Sequence, residues 1–167
     1  MGGMEKEGEE GECEMRYNVP QGEEFEINTI ILDLNGTLSV NGKIPAGAKE
    51  RIRKLQRLGF RVILFSGDQR GTAGKICSNL GIELRLTPTG REKEREMLKL
   101  DFKKCASIGN ARIDLGTFKH AKLSIITLQA EGIHARAIEH ADIIVPSIND
   151  ALDLFLNPDS LCATLRE

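Results

Sequence analysis

The feature that most constrains the fold of this chain is a repeated alternation of short apolar runs with helical patterns. Each run is nearly continuous in apolar character and rich in β-branched side chains, as expected of strands buried on both faces of a parallel sheet. The runs cover residues 28–34, 60–65, 82–86, 104–108, 122–127 and 142–145.

Amphipathic segments separate the runs. Ala48, Ile52 and Leu55 share one helical face, and Gly59 follows where a C-terminal cap belongs. A last helix is predicted over about 147–156, ended by Pro158. Strands that alternate with helices imply right-handed crossovers. The sequence therefore predicts a three-layer, Rossmann-like α/β fold with a central parallel sheet flanked by helices.

The N-terminal part of the chain has a different composition. Residues 1–14 contain six Glu, one Lys and few apolar side chains, so we expect a disordered acidic tail. Residues 15–28 are typical of two short strands around a turn at 20–22, an extra hairpin or an addition to the sheet edge. With 167 residues in all, the rest of the chain, 15–167, is predicted to form a single domain.

The overall composition excludes several classes of protein. The longest apolar stretches are only strand-sized and the N-terminus is Glu-rich, so we expect a cytoplasmic protein without a membrane partner. The formal net charge of −2 gives no support for nucleic-acid binding. The four cysteines show no spacing of a zinc site or a disulfide framework, so they are predicted to be reduced and mostly buried.

Polar residues follow the apolar runs at the positions where a parallel sheet binds its ligands. Ligands of open parallel sheets lie at the carboxyl ends of the strands, so these residues are predicted to share one site. They are Asp33, Asn35, Gly36 and Thr37 after the first run, Ser66, Gly67 and Asp68 after the second, Asn110 and Asp114 after the fourth, and Lys93 near the start of the helical segment that follows the third.

This set of side chains suits phosphoryl transfer through an aspartyl-phosphate. Asp33 would attack phosphorus, and Mg²⁺ would neutralise charge between Asp33, the phosphate and Asp114. Ser66 and Lys93 would hold the phosphoryl oxygens, helped by backbone N–H groups from Gly67 onward at the following helix start. We expect a magnesium-dependent phosphohydrolase.

The same residues resemble the haloacid dehalogenase superfamily. Its motifs are an Asp-x-Asp-x-Thr loop, a Ser or Thr, a Lys, and an acidic Gly-Asp-x-x-x-Asp-like loop, and each has a counterpart between Asp33 and Asp114. Residues 66–68 are also similar to the Thr-Gly-Asp segment of P-type ATPases. Residues 16–166 resemble the small soluble P-type ATPase-like hydrolases, including DLNGTL at 33–38, IGN at 108–110 and DALDLFLNP at 150–158.

The resemblance implies a set of metal ligands and two departures from the family pattern. The implied Mg²⁺ ligands are Asp33, the backbone carbonyl of Asn35, Asn110 and Asp114. Asn35 stands where phosphatases of the superfamily have an Asp that acts as general acid and base, a role worth roughly 100- to 10,000-fold in rate. Asn110 stands where many relatives have a metal-binding Asp, so the metal should bind more weakly. The alternative is therefore a catalytically weak or degenerate protein that binds phosphate, Mg²⁺ or a protein partner.

Other readings of single residues stay open. Arg91, Arg95 and Lys99 compete with Lys93 for the phosphate, because all four lie in one highly charged helical segment. Asp68 is favoured as a helix cap. A response-regulator-like receiver also uses a strand-end Asp, but receivers need an acidic pair after the first strand.

The spacing of the motifs leaves no room for a cap domain. Between Asp33 and Ser66 there is space for a flap at 39–44, one helix and one strand, and between Ser66 and Lys93 for another helix and strand. The site should be open to water and to bulky substrates. The expected substrate is a phosphorylated small molecule or a phosphoprotein, and a homo-oligomer could cover the site.

Overall fold

Every apolar run of the sequence forms a strand of one parallel sheet. The computed structural model describes residues 15–68 and 70–167. The main sheet has six strands in the order β5-β4-β3-β6-β7-β8, all parallel, and β1 and β2 form a separate antiparallel hairpin. The strands are β1 (Met15–Asn18), β2 (Glu24–Ile27), β3 (Thr29–Leu32), β4 (Arg61–Ser66), β5 (Glu83–Leu86), β6 (Cys105–Gly109), β7 (Leu123–Thr127) and β8 (Ile143–Val145).

Helices connect the strands and cover both faces of the sheet. They are α1 (Ala48–Arg57), α2 (Thr72–Leu80), α3 (Gly90–Leu98), α4 (Leu115–His120), α5 (Ala135–Ile138), α6 (Ile148–Leu156) and α7 (Pro158–Leu165). The prediction that α6 is the last helix was wrong. Pro158 occupies the first turn of α7, where its missing N–H costs nothing, so it starts a new helix as well as ending the previous one.

Alternate residues of the central strands separate the core into two layers. Ile30 and Leu32 belong to the large cluster that includes side chains of α1, α2, α6, α7 and the hairpin. Ile31, between them in sequence, packs on the opposite face with Phe65 and with Met97 of α3. Because successive strand residues point to opposite faces, this pattern confirms a three-layer fold.

The sheet order creates a switch point beside β3. The chain runs from β3 to β4 and β5 on one side, then returns to β6 on the other side of β3. Leu32 is in register with Leu64 of β4 and Ile108 of β6, so the three strands end at nearly the same level. Crevices of this kind are where ligands bind in open α/β sheets.

The described residues can be searched for membrane-spanning helices and for the state of the cysteines. No helix in residues 15–68 and 70–167 is long and apolar enough to cross a membrane. Cys77 and Cys105 are buried free thiols, and burial raises the pKa of each to about 11. Cys162 is free and partly exposed. The predicted tail at 1–14 lies outside the described residues.

Candidate functional site

A pocket of about 590 Å³ opens at the carboxyl ends of β3, β4 and β6. Most of the strand-end residues predicted from the sequence line it, together with parts of the flap and of α2. The lining residues are Asp33, Leu34, Asn35, Ser39, Gly42, Ser66, Gly67, Asp68, Arg70, Thr72, Ile76, Lys93, Ala111 and Ile113.

Lys93, which lines the pocket, joins the two predicted carboxylates. Its ammonium donates to Oδ1 of Asp33 and to Oδ1 of Asp114, each at 2.6 Å. Lys93 is only 2% exposed, Asp33 9% and Asp114 1%. Buried charges need partners, and here one cation balances part of the charge of two anions. The three groups that the sequence predicts from three separate segments therefore meet at one point.

Burial and charge shift the pKa values of this cluster. The pKa of Asp33 is raised to about 6, first by burial and then by the neighbouring Asp114, against the opposing effect of Lys93. Burial alone would lower the pKa of Lys93, but Asp114 and Asp33 outweigh it and hold that pKa above the ordinary value. Near neutral pH the ammonium stays charged and Asp33 is mostly ionised.

The local sequence of α3 explains why Lys93, and not a neighbouring cation, reaches the site. Thr89 caps the helix, and its side chain and that of Glu92 form a reciprocal capping box that fixes the first turn. Lys93 and Met97, four residues apart, form the buried face of the helix. Arg91, Arg95 and Lys99 are exposed. None of these three side chains lines the pocket, so the geometry does not support them as alternatives to Lys93 for binding phosphate.

The turn after β4 brings a hydroxyl and a helix start to the pocket. Ser66 is 4% exposed, and its Oγ accepts from the N–H of Asp68 at 3.2 Å. Asp68 in turn accepts from the N–H groups of Arg70 and Ala73 at the start of α2, and these bonds hold its pKa below the ordinary value. The helix-capping assignment of Asp68 fits this geometry. Gly67 passes so close to Pro88 that a Cβ on residue 67 would lie 2.9 Å from the Cα of Pro88.

Asp114 is held from two sides. One oxygen meets Lys93, and the other accepts from the N–H groups of Asn110 and Ala111, each at 3.0 Å. Gly109 makes this approach feasible, because a Cβ there would lie 2.4 Å from Oδ2 of Asp114. The carboxylate is therefore fixed by the loop that carries it.

The loop after β3 holds the remaining residues of the first motif. Asn35 is exposed at the pocket, while Thr37 is fully buried. The flap beyond it is a tight turn in which Val40 and Lys43 exchange backbone hydrogen bonds. Within the described residues no cap domain is inserted here.

Asn110 is placed differently from the other predicted metal ligands. Its side chain lies behind the pocket wall, where Nδ2 donates to the carbonyl of Gly132 at 2.8 Å and Oδ1 accepts weakly from the hydroxyl of Thr37 at 3.4 Å. The described residues contain no group of three or more His, Cys, Asp or Glu side chains that could hold a metal ion. Two carboxylates and the carbonyl of Asn35 remain, a set that suits Mg²⁺ when phosphate and water complete the shell.

Sequence reasoning missed the residues at the end of β7. Thr127 is fully buried and donates to the carbonyl of Gly36 at 2.9 Å. Gln129 donates to the carbonyl of Thr37 and accepts from the N–H of Ile148 at the start of α6. Thr127 is the last residue of β7 and Gln129 lies just beyond it, so the rule that selected the other strand ends could have found them.

Comparison with known proteins gives several sequence relatives. No family model matches the chain. A soluble P-type ATPase-like phosphatase of Methanocaldococcus jannaschii is 26% identical over 147 residues, which cover 83% of this chain and 54% of that protein. The copper-exporting P-type ATPase of Staphylococcus aureus is 26% identical over 154 residues, 90% of this chain and 18% of the transporter. The chain spans about half the length of the first relative.

Solved structures define the class of fold. The 3-deoxy-D-manno-octulosonate 8-phosphate phosphatase of Moraxella catarrhalis, solved in complex with a magnesium ion, a phosphate ion and a KDO molecule, superposes with a TM-score of 0.66 at 16% identity. The match covers 83% of this chain and 92% of that one. The chain has the fold of the haloacid dehalogenase superfamily. The two sequence relatives described above are a P-type ATPase-like phosphatase and a P-type ATPase, in agreement with the motifs of the sequence.

Proposed function

We propose that the protein is a phosphohydrolase that works through a phosphoryl group on Asp33 and requires a divalent metal ion, with Mg²⁺ as the expected one. The observation that carries this proposal is the contact of the Lys93 ammonium with both Asp33 and Asp114, in a pocket that Asp33, Lys93 and Ser66 line. The relatives named as phosphatases support the same class of reaction.

The first step uses groups of the chain that already lie at the pocket. The ionised carboxylate of Asp33 attacks phosphorus, and the bond from phosphorus to the leaving oxygen breaks with both electrons on that oxygen. Lys93 and the Ser66 hydroxyl bind the phosphoryl oxygens, and the N–H of Gly67 assists. Water protonates the leaving oxygen, because Asn35 has no proton to exchange at neutral pH.

The second step hydrolyses phospho-Asp33 and regenerates the free carboxylate. Water attacks phosphorus of phospho-Asp33 and releases inorganic phosphate, while the proton of the attacking water passes to solvent. A bound Mg²⁺ would be held by Asp33 and the Asn35 carbonyl, with Asp114 nearby, and would supply charge neutralisation at the phosphoryl oxygens. Since the protein offers few ligands, we expect metal binding to strengthen when phosphate is present.

The shape of the pocket bears on the substrate. A cleft of about 590 Å³ accommodates a small ligand in full, and no cap covers it in the described residues. We therefore propose a phosphorylated small molecule as the substrate. A phosphoprotein substrate and a covering homo-oligomer stay predictions from the sequence.

A second candidate function rests on Asn35. Without an acid and base at that exposed position, the site could form phospho-Asp33 or bind phosphate and metal without efficient turnover. Beryllium fluoride in the presence of Mg²⁺ distinguishes the two candidates. A stable complex on Asp33 combined with no hydrolysis of any phosphate ester favours the second.

Substitution of the proposed nucleophile tests the function directly. Asp33→Asn is expected to lower kcat for p-nitrophenyl phosphate at least about 1,000-fold, because the amide cannot attack phosphorus. Asp68→Asn is the matched control: it makes the same change in another pocket carboxylate, one that caps α2, and is expected to retain most of the activity. An Asp33→Asn protein that hydrolyses the ester at the wild-type rate would refute the proposal.

A further inference from the structure

Asn110 makes four hydrogen bonds close to the charged groups of the site. Its backbone N–H donates to Asp114, and its carbonyl accepts from the N–H of His134 at 2.9 Å. Its side-chain amide donates to the carbonyl of Gly132, and the amide oxygen accepts from Thr37. All four kinds of hydrogen-bonding group that an Asn possesses are therefore used inside the protein.

These bonds join three segments that are far apart in the sequence. Thr37 belongs to the loop that carries Asp33, Asp114 belongs to the loop after β6, and residues 132–134 belong to the segment after β7. Thr127 at the end of β7 and Gln129 just after it also support the first loop. Asn110 therefore lies where the three loops meet.

The residues packed around Asn110 restrict the conformation of its side chain. The residue is 4% exposed, and Gly36 approaches so closely that a Cβ there would lie 2.2 Å from Nδ2 of Asn110. The bond to Gly132 also needs the NH₂ end of the amide, because a carbonyl oxygen can only accept. An oxygen in place of Nδ2 would face the Gly132 carbonyl at 2.8 Å, an acceptor against an acceptor.

We propose that Asn110 is a positioning residue, a neutral clasp that fixes the loops of Asp33 and Asp114 relative to each other, and that it is not a metal ligand. This role for the side chain goes beyond the proposed phosphatase reaction, although its kinetic test rests on that function. The clasp explains why an amide and not a carboxylate suits this position.

Replacement by Asp is the decisive variant. If Asn110 is a clasp, Asn110→Asp loses the bond to Gly132, so its midpoint of thermal unfolding falls both in EDTA and in saturating Mg²⁺. Its affinity for Mg²⁺, measured by titration calorimetry with inorganic phosphate present, does not rise. If residue 110 is a ligand position, the added carboxylate instead tightens Mg²⁺ binding tenfold or more, and Mg²⁺ restores the midpoint. That second outcome would overturn the proposal.

A matched control isolates the cost of losing such a bond. Asn149 also donates its amide to a backbone carbonyl, that of Ala46 at 2.8 Å, but this bond joins neither the loop of Asp33 nor the loop of Asp114. Asn149→Asp makes the same chemical change there and is expected to leave the Mg²⁺ affinity and kcat as in the wild type. The thermal measurements and the Mg²⁺ titrations decide the clasp proposal even if the protein hydrolyses no ester.

The effect of Asn110→Ala on kcat and KM distinguishes a role in positioning the nucleophile from a role in fold stability alone. At a temperature where the variant is fully folded, Asn110→Ala is expected to lower kcat about tenfold or more with little change in KM, because a small displacement of the nucleophile affects mainly the transition state. A folded Asn110→Ala protein that keeps kcat within twofold of the wild type would contradict the proposal.

Discussion

At the scale of single residues, three buried charged groups define the site. One buried ammonium, Lys93, faces the carboxylates of Asp33 and Asp114, and the nearby positions 35 and 110 carry neutral amides. This arrangement keeps the nucleophile paired before a substrate arrives. It also leaves proton transfer to water, because Asn35 cannot take part in it.

The raised pKa of Asp33 predicts the acid side of the pH profile. Attack requires the carboxylate, and the pKa of Asp33 is raised to about 6, first by burial and then by Asp114. The value of kcat/KM should therefore fall about tenfold per pH unit below about pH 6 and level off above it. A fall centred near about pH 4, as for an ordinary Asp, would show that burial does not control the nucleophile.

Because position 35 lacks a general acid and base, restoring one there is predicted to increase phosphatase activity. Asn35→Asp should raise the steady-state rate of ester hydrolysis by about tenfold or more, because the new carboxyl can protonate the leaving group and then activate water. Asn41→Asp is the control, since it adds the same charge at the flap turn outside the pocket lining. Equal rates for the wild type and Asn35→Asp would mean that proton transfer does not limit turnover.

At the scale of elements, the loops after the strands matter more than the strands themselves. The loop after β3 is held by Thr127 at the end of β7 and by Gln129 just after it, and the backbone N–H of Asn41 in the flap donates to Glu131. The capping box of α3 holds the helix that carries Lys93. The nucleophile is thus supported by contacts across about 90 positions of the sequence.

A pair of glycines tests how tightly this loop is packed. Gly36 and Gly81 both have positive φ angles, 75° and 69°, so alanine at either position is expected to cost about 1 to 2 kcal/mol of unfolding free energy. A Cβ at Gly36 would also meet Asn110, whereas nothing lies within 4 Å at Gly81. Denaturant titrations should therefore show a larger loss for Gly36→Ala. Equal losses would contradict the close contact of the two loops.

The same elements show what could be predicted from the sequence and what could not. The six strands and most helices follow from apolar periodicity, and the strand-end rule identified Asp33, Ser66 and Asp114 before any coordinates. Composition could not choose Lys93 among four cations of one helix, because the choice depends on which face α3 packs against the sheet. The contacts of Asn110 were also beyond prediction, since they join loops that only the tertiary fold brings together.

At the scale of the whole molecule, the fold concentrates chemistry at one end of a single sheet. The strand order β5-β4-β3-β6-β7-β8 places the switch point beside β3, and the nucleophile follows that strand directly. The opposite end of the sheet carries the hairpin and a separate, charged surface groove. Asp33 just after β3, Lys93 of α3 and Asp114 of the loop after β6 then form one cluster of charges at this end of the sheet.

The most direct test of the account is to locate the transferred phosphoryl group. The protein is mixed with a phosphate ester and Mg²⁺, quenched in acid to preserve the acyl-phosphate, digested and analysed by mass spectrometry. We predict one added phosphoryl group on the peptide that contains Asp33, and none in Asp33→Asn treated in the same way. A phosphoryl group on another residue, or hydrolysis of the ester with Asp33 never modified, would contradict the account.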